Sequence, residues 1–130
     1  MTRYVDSNVL IDLFHADPVW GDWSRDALAR GRKNGPLLIS PIVFAEVSGR
    51  FARWEDALEA VRNLYIEVAQ PLSFPTLHRA AEVMLAYRRQ SGARGGLLAD
   101  FLIGAQAETD EVPLITRDPR RYRTYFPDLK

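Results

Sequence analysis

Four carboxylates carry the chemistry this sequence could do: Asp6, Glu46, Asp100 and Asp118. Asp6 follows the apolar pair Tyr4-Val5 and precedes Val9, Leu10, Leu13 and Phe14, which fall at helical spacing. That pattern puts Asp6 at the carboxyl end of a first strand. In an open α/β sheet, ligands bind at this edge, beside the topological switch point. Glu46 lies in Ile42-Val-Phe-Ala-Glu-Val47 with apolar residues on every side, a helix expected to be buried all round. Asp100 is the only ionisable residue of the apolar helix that runs from Leu97 to Ala107, and Asp118 closes the strand-like run Pro113-Leu-Ile-Thr116. A buried lone carboxylate is expensive unless paired, hydrogen-bonded or bound to a metal. Each acid also has a structural alternative. Asp6 or Ser7 can cap the first helix, Glu46 can face solvent, Asp100 can cap its own helix, and Asp118-Pro119 can form an Asx-type turn. Four acids on elements able to meet at one sheet edge argue for a shared purpose. Without a cation they repel one another, so the set implies a hard divalent ion, Mg2+ or Mn2+, held by oxygen. Such a centre lowers the pKa of a bound water and stabilises charge developing on a phosphodiester.

The elements that must position these acids alternate between strand and helix, which predicts an α/β fold around a mainly parallel sheet. Asp17-Pro18 reads as a cap followed by a proline at the first helical position, with Trp20, Trp23, Ala27 and Leu28 as the apolar stripe. The breakers from Gly31 to Gly35 end that helix, and Leu37-Leu-Ile39 is a second buried strand. Ser40-Pro41 repeats the cap signal and opens the helix that carries Glu46. A fourth helix is marked by Trp54, Ala57, Leu58, Val61, Leu64 and Tyr65, and a short strand covers residues 66–69. Pro75 starts a long fifth helix with Leu77, Ala80, Ala81, Met84 and Tyr87 on its buried face. The tail from Arg120 to Pro127 interleaves arginines with aromatics. It suits either a phosphate backbone with stacked bases or a short surface helix that packs Tyr122 and Phe126 inward.

Composition narrows the chemistry further. The 130 residues form one domain, 1–130, with 17 basic and 17 acidic side chains, so no global field attracts nucleic acid. No cysteine is present, which excludes disulfides, thiolate zinc and a cysteine nucleophile and fits a reducing cytoplasm. Two histidines, His15 and His78, are too few for a histidine-rich metal site. The longest apolar run, Pro36 to Val47, is interrupted by Ser40, Pro41 and Glu46. It falls short of the ~20 residues needed to span a membrane. Asp6 and Asp12 interrupt the stretch that a signal peptide would keep apolar.

The blocks Val5-Asp-Ser-Asn-Val-Leu-Ile-Asp12, Glu46 in its apolar helix, Ala99-Asp-Phe-Leu-Ile-Gly-Ala-Gln-Ala107 and Leu114-Ile-Thr-Arg-Asp118 occur in that order along the chain. As a set they resemble the PIN-domain ribonucleases, specifically the VapC-like toxins of toxin–antitoxin pairs. The resemblance covers essentially the whole chain. It implies a three-layer α/β/α PIN-like domain with a mainly parallel central sheet of four or five strands. It also implies a metal-dependent endoribonuclease, a homodimer, and a cognate antitoxin that blocks the acidic cleft. Residue by residue, Asp6, Glu46, Asp100 and Asp118 match the acidic metal-binding set, with Ser7, Asn8 and Thr116 in supporting places. Arg94, Arg117, Arg120 and Arg121 would then supply the RNA phosphate contacts that an acidic centre cannot. One departure is visible: the chain stops at Leu129-Lys130, where many relatives continue into a final apolar strand. Two other readings compete. A phosphoryl-transfer receiver or phosphatase is disfavoured by the lack of an Asp-x-Asp after the first strand and of a lysine after a late one. A non-catalytic PIN-like module that binds RNA or protein is disfavoured by the complete acidic set.

Overall fold

The computed structural model describes residues 1–69, 71–91 and 98–129. In chain order the elements are β1 (Arg3–Val5), α1 (Ser7–Phe14), α2 (Gly21–Asn34), β2 (Leu37–Ile39), α3 (Pro41–Ser48) and α4 (Trp54–Arg62). Then follow β3 (Ile66–Val68), α5 (Phe74–Ser91), α6 (Leu98–Thr109), β4 (Leu114–Ile115) and α7 (Pro119–Tyr125). The strands make one sheet in the order β3-β2-β1-β4, and all three pairings are parallel. The chain thus steps outward from β1 to β3, crosses back, and lays β4 on the other side of β1. The switch point therefore lies between β1 and β4, at the ends of which stand Asp6 and Thr116.

Helices cover both faces of this sheet. Arg3 pairs with Leu37 and Val5 with Ile115, so these four share a face, and α2 presses Gly31 onto it. A Cβ at Gly31 would sit 2.8 Å from Ile115 Cδ1 and 3.1 Å from Leu37 Cδ2. Glycine here lets the helix sit close to the sheet without displacing these side-chain tips. Tyr4 points the opposite way, and its hydroxyl donates to Asp110 Oδ2 (2.5 Å) just past α6. The core between these layers is Val5, Val9, Leu10, Leu28, Ile39, Val43, Val61, Ile66, Phe101 and Phe126 with their neighbours. No helix among the described residues is long and apolar enough to cross a membrane.

Four sequence expectations change. Asp17 does not cap α2: its Oδ1 accepts the N–H groups of Val19 and Trp20 (both 2.8 Å), closing a separate turn, and the helix begins at Gly21. Gly31 does not break that helix, which runs on to Asn34. α3 is buried only along Val43 and Val47, while Ala45 is exposed. On α5, Ala80 is buried and Met84 and Tyr87 pack against the core as expected, but Leu77 and Ala81 are exposed and Thr76 and Val83 are buried in their stead. The reason is polar. Thr76 Oγ1 lies 2.6 Å from Thr109 Oγ1, and Arg79 Nε donates to Glu108 at 2.5 Å, so hydrogen-bonded residues hold α5 against α6. In the tail, the surface-helix alternative is the one observed: α7 buries Tyr122 and, just beyond it, Phe126.

Candidate active site

The site begins with the end of β1. Asp6 N–H donates to Ile115 O (2.8 Å), which fixes the backbone beside β4. The Asp6 side chain then serves two roles at once. Oδ1 accepts the Ser7 N–H (2.8 Å) at the start of α1, and Oδ2 accepts the Thr116 hydroxyl (2.8 Å) from the end of β4. The capping alternative is thus observed, and the same carboxylate also ties the end of β1 to the end of β4. Thr116 Oγ1 also accepts from Asn8 Nδ2 (3.3 Å) and from Asp118 N–H (3.0 Å), so it links both strand ends.

Asp6 is only 4 % exposed. Burial raises its pKa above the usual carboxylate range; hydrogen bonds from Thr116, the Ser7 N–H and Tyr122 oppose the rise, and the charge of Asp100 adds to it. Glu46 behaves alike. Burial pushes it up, the Ser7 hydroxyl pulls it down, and the charges of Asp6 and Asp100 push it further up. The three acids are therefore near enough for charge on one to be felt by another. Glu46 Oε1 is buried with no hydrogen-bond partner. A buried carboxylate oxygen left without a partner costs free energy that a cation would recover.

Asp118 stands apart on the rim. Arg121 reaches between it and Asp100: Nη1 donates to Asp100 Oδ2 (2.5 Å), while Nη2 (2.5 Å) and Nε (2.9 Å) donate to Asp118 Oδ2. Among the described residues, no three acidic or histidine side chains are drawn into a finished cation cage. The donor set still fits a hard divalent ion, because it is all oxygen, mutually repelling, and includes the orphaned Glu46 Oε1.

Sequence reasoning passed over Tyr122 as a site residue. Its hydroxyl lies 3.4 Å from Asp100 Oδ1 and also hydrogen-bonds Asp6. Burial first, then the charges of Asp6 and Asp100, hold the phenol proton far above its ordinary range. Tyr122 is thus a fixed neutral donor between two acids. The signal available was a tyrosine where packing alone would accept phenylalanine.

A family model for the PIN domain matches residues 3–127. The chain belongs to the PIN domain family. Ribonuclease VapC10 of Mycobacterium tuberculosis, strains CDC 1551 / Oshkosh and H37Rv, is 36% identical over 112 residues, or 86% of this chain and 79% of that protein. Among solved structures, VapBC2 from Rickettsia felis bound to a DNA fragment from its promoter superposes with a TM-score of 0.72 at 21% identity, covering 99% of this chain and 96% of that one. VapBC-1 from nontypeable Haemophilus influenzae gives 0.71 at 20% identity, over 100% and 96%. These structural likenesses speak to the fold.

In this PIN domain the remaining expected residues lie as follows. Arg117, expected on RNA, has its guanidinium engaged inside the protein. Its Nε lies 3.1 Å from Asp12 Oδ2, out of line for a hydrogen bond, and the group stacks over Trp20 at 5.2 Å. Asp12 is buried and also accepts the Ser24 hydroxyl (2.9 Å). Arg120 is exposed on α7, and Arg94 lies outside the described residues. A groove of about 400 Å3, lined by Arg3, Trp23, Arg30 and Thr116 among others, runs between α2 and the open edge of β4.

Proposed function

We propose that this PIN domain is the ribonuclease toxin of a toxin–antitoxin pair and hydrolyses RNA phosphodiesters with the help of Mg2+ or Mn2+. The observation that carries the reading is the cluster of buried Asp6 with half-buried Glu46 and Asp100 at the switch point, one Glu46 oxygen being buried and unpartnered. The 36% identity to Ribonuclease VapC10 supports the substrate class. Asp6, Glu46 and Asp100 would hold the ion, with Asp118 joining from the rim. Once bound, the ion supplies Lewis acidity, easing deprotonation of water and offsetting charge on the phosphate. The chain's own residues prepare for this. Thr116 and the Ser7 N–H fix the Asp6 carboxylate, the Ser7 hydroxyl fixes Glu46, and Tyr122 orients Asp100 and Asp6 without ionising. Arg120 and the groove arginines Arg3 and Arg30 offer the positive charge that the acids lack.

An antitoxin partner is supported by the solved neighbours, one of which is described as a toxin–antitoxin complex from Klebsiella pneumoniae. A homodimer and a cytoplasmic location complete the reading. The test is cleavage of single-stranded RNA by the purified chain. Activity should require Mg2+ or Mn2+ and vanish in EDTA. Asp100→Asn should lose at least about a hundredfold, the upper end for removing a mere supporting partner of a metal ligand. Undiminished cleavage in excess EDTA would reject the mechanism. Metal binding without any cleavage would favour the non-catalytic module.

A further inference from the structure

The neutralisation of the acidic site is uneven. Asp100 and Asp118 share a single guanidinium, while the buried Glu46 Oε1 has no hydrogen-bond partner. Arg121 bridges carboxylates that belong to different elements, α6 and the turn before α7, with all three of its contacts at 2.9 Å or less. A planar fork that satisfies two carboxylates at once is what arginine does and lysine cannot. The Arg121 side chain is 43 % exposed. Nothing in the core holds it, because α7 is anchored separately by buried Tyr122 and Phe126. The guanidinium can therefore leave without unpacking its helix.

We propose that Arg121 is a built-in counter-cation of the acidic site: without metal it clamps Asp100 to Asp118, and a divalent ion must displace it to use those carboxylates. The proposal rests on the reading of these acids as a divalent-ion site. It explains why the acids lie close together yet do not form a finished cage. Arg121 draws Asp100 and Asp118 toward the rim, while Asp6 and Glu46 stay fixed by Thr116 and Ser7. The released guanidinium would remain at the mouth of the site, three residues from Asp118, within reach of a phosphate.

Mn2+ titration followed by electron paramagnetic resonance tests this without any RNA. Arg121→Gln keeps a polar side chain but removes the competing charge. It should bind Mn2+ about tenfold more tightly than the parent, equivalent to about 1.4 kcal/mol. Arg121→Lys, a cation without the fork, should fall between. In EDTA the Gln variant should melt below the parent, because Asp100 and Asp118 lose their partner, and saturating Mn2+ should close that gap. If Arg121→Gln does not fold, tighter binding by Arg121→Lys alone carries the result. Unchanged or weaker Mn2+ affinity in the variants, with the parent binding normally, overturns the clamp and leaves the metal site standing. No Mn2+ binding by parent or variants overturns both.

Discussion

Arg117 and Arg121 stand four residues apart, each beside an aspartate, and they do different things. Arg117 lies against Asp12, which is 2 % exposed, accepts the Ser24 hydroxyl, and sits under a guanidinium held by the Trp20 ring. That cluster joins α1, α2 and the turn after β4, and its acid is held on two sides, by Arg117 and by Ser24. Arg121 lies on the rim and spans two acids. The contrast teaches that an arginine's role is set by its partner's alternatives. A buried acid enclosed by its partners makes a brace; acids that also feel other acids make a site in which the arginine is replaceable.

Removing Asp12 should break the brace most severely. Asp12→Ala leaves Arg117 partly buried without its partner, a change that costs about 3 kcal/mol when a buried pair loses one member. Urea unfolding in EDTA measures it, and Mn2+ binding by the folded fraction should be preserved. Loss of Mn2+ binding to the degree expected of Asp6→Asn would erase the contrast, because Asp12 would then belong to the site.

The acid side of the comparison is sharpened by pH. Asp6 and Glu46 have folded pKa values raised above their unfolded ones by burial and by each other's neighbours. Between the unfolded value, about 4, and the folded one, the native state holds more protons than the unfolded chain. Stability in EDTA should therefore fall as pH rises through that window. Asp6→Asn should flatten the fall and melt no lower than the parent near neutral pH. A stability that climbs with pH across the same window would show that hydrogen bonds, rather than repulsion, govern these acids.

The smallest effect belongs to the ring under Arg117. Trp20→Leu keeps apolar bulk but removes the cation–π contact, worth roughly 0.5–1 kcal/mol at a part-exposed position. A loss no greater than this, read by the same urea titration, would mark Asp12 as the principal anchor of Arg117. A loss rivalling Asp12→Ala would make the tryptophan the anchor instead.

The strand ends were legible from residue types alone. Tyr4-Val5 before Asp6, and Leu114-Ile115 before Thr116, are apolar runs that stop on polar residues, and both lie where expected. So does Ser40, whose hydroxyl accepts the Ile42 N–H at 3.1 Å ahead of Pro41. What hydropathy hides is polarity satisfied at a distance. Thr76 faces inward because Thr109, 33 residues later, meets it, and Leu77 beside it is left exposed. Trp54 and Tyr65 fit an apolar stripe on paper, yet α4 ends at Arg62, three residues before Tyr65, and both aromatics are exposed. The arginines are the sharpest case. Sequence gives their charge and proximity to Asp118, but whether a guanidinium faces solvent, Asp12 or Asp100 is decided by packing between elements far apart in the chain.

The hydrogen bond from Thr116 to Asp6 joins residues 110 positions apart. Contacts of such separation are slow to form, because a long loop must close before any interaction rewards it. Tyr122 and Asp118, on the same late segment, complete the surroundings of acids encoded far upstream. During synthesis, β1 to β3 and the helices between them can assemble while β4 is still inside the ribosome. The acids of the early half then lack their threonine and tyrosine partners. A chain built in this order completes the surroundings of its early acids only when β4 pairs with β1.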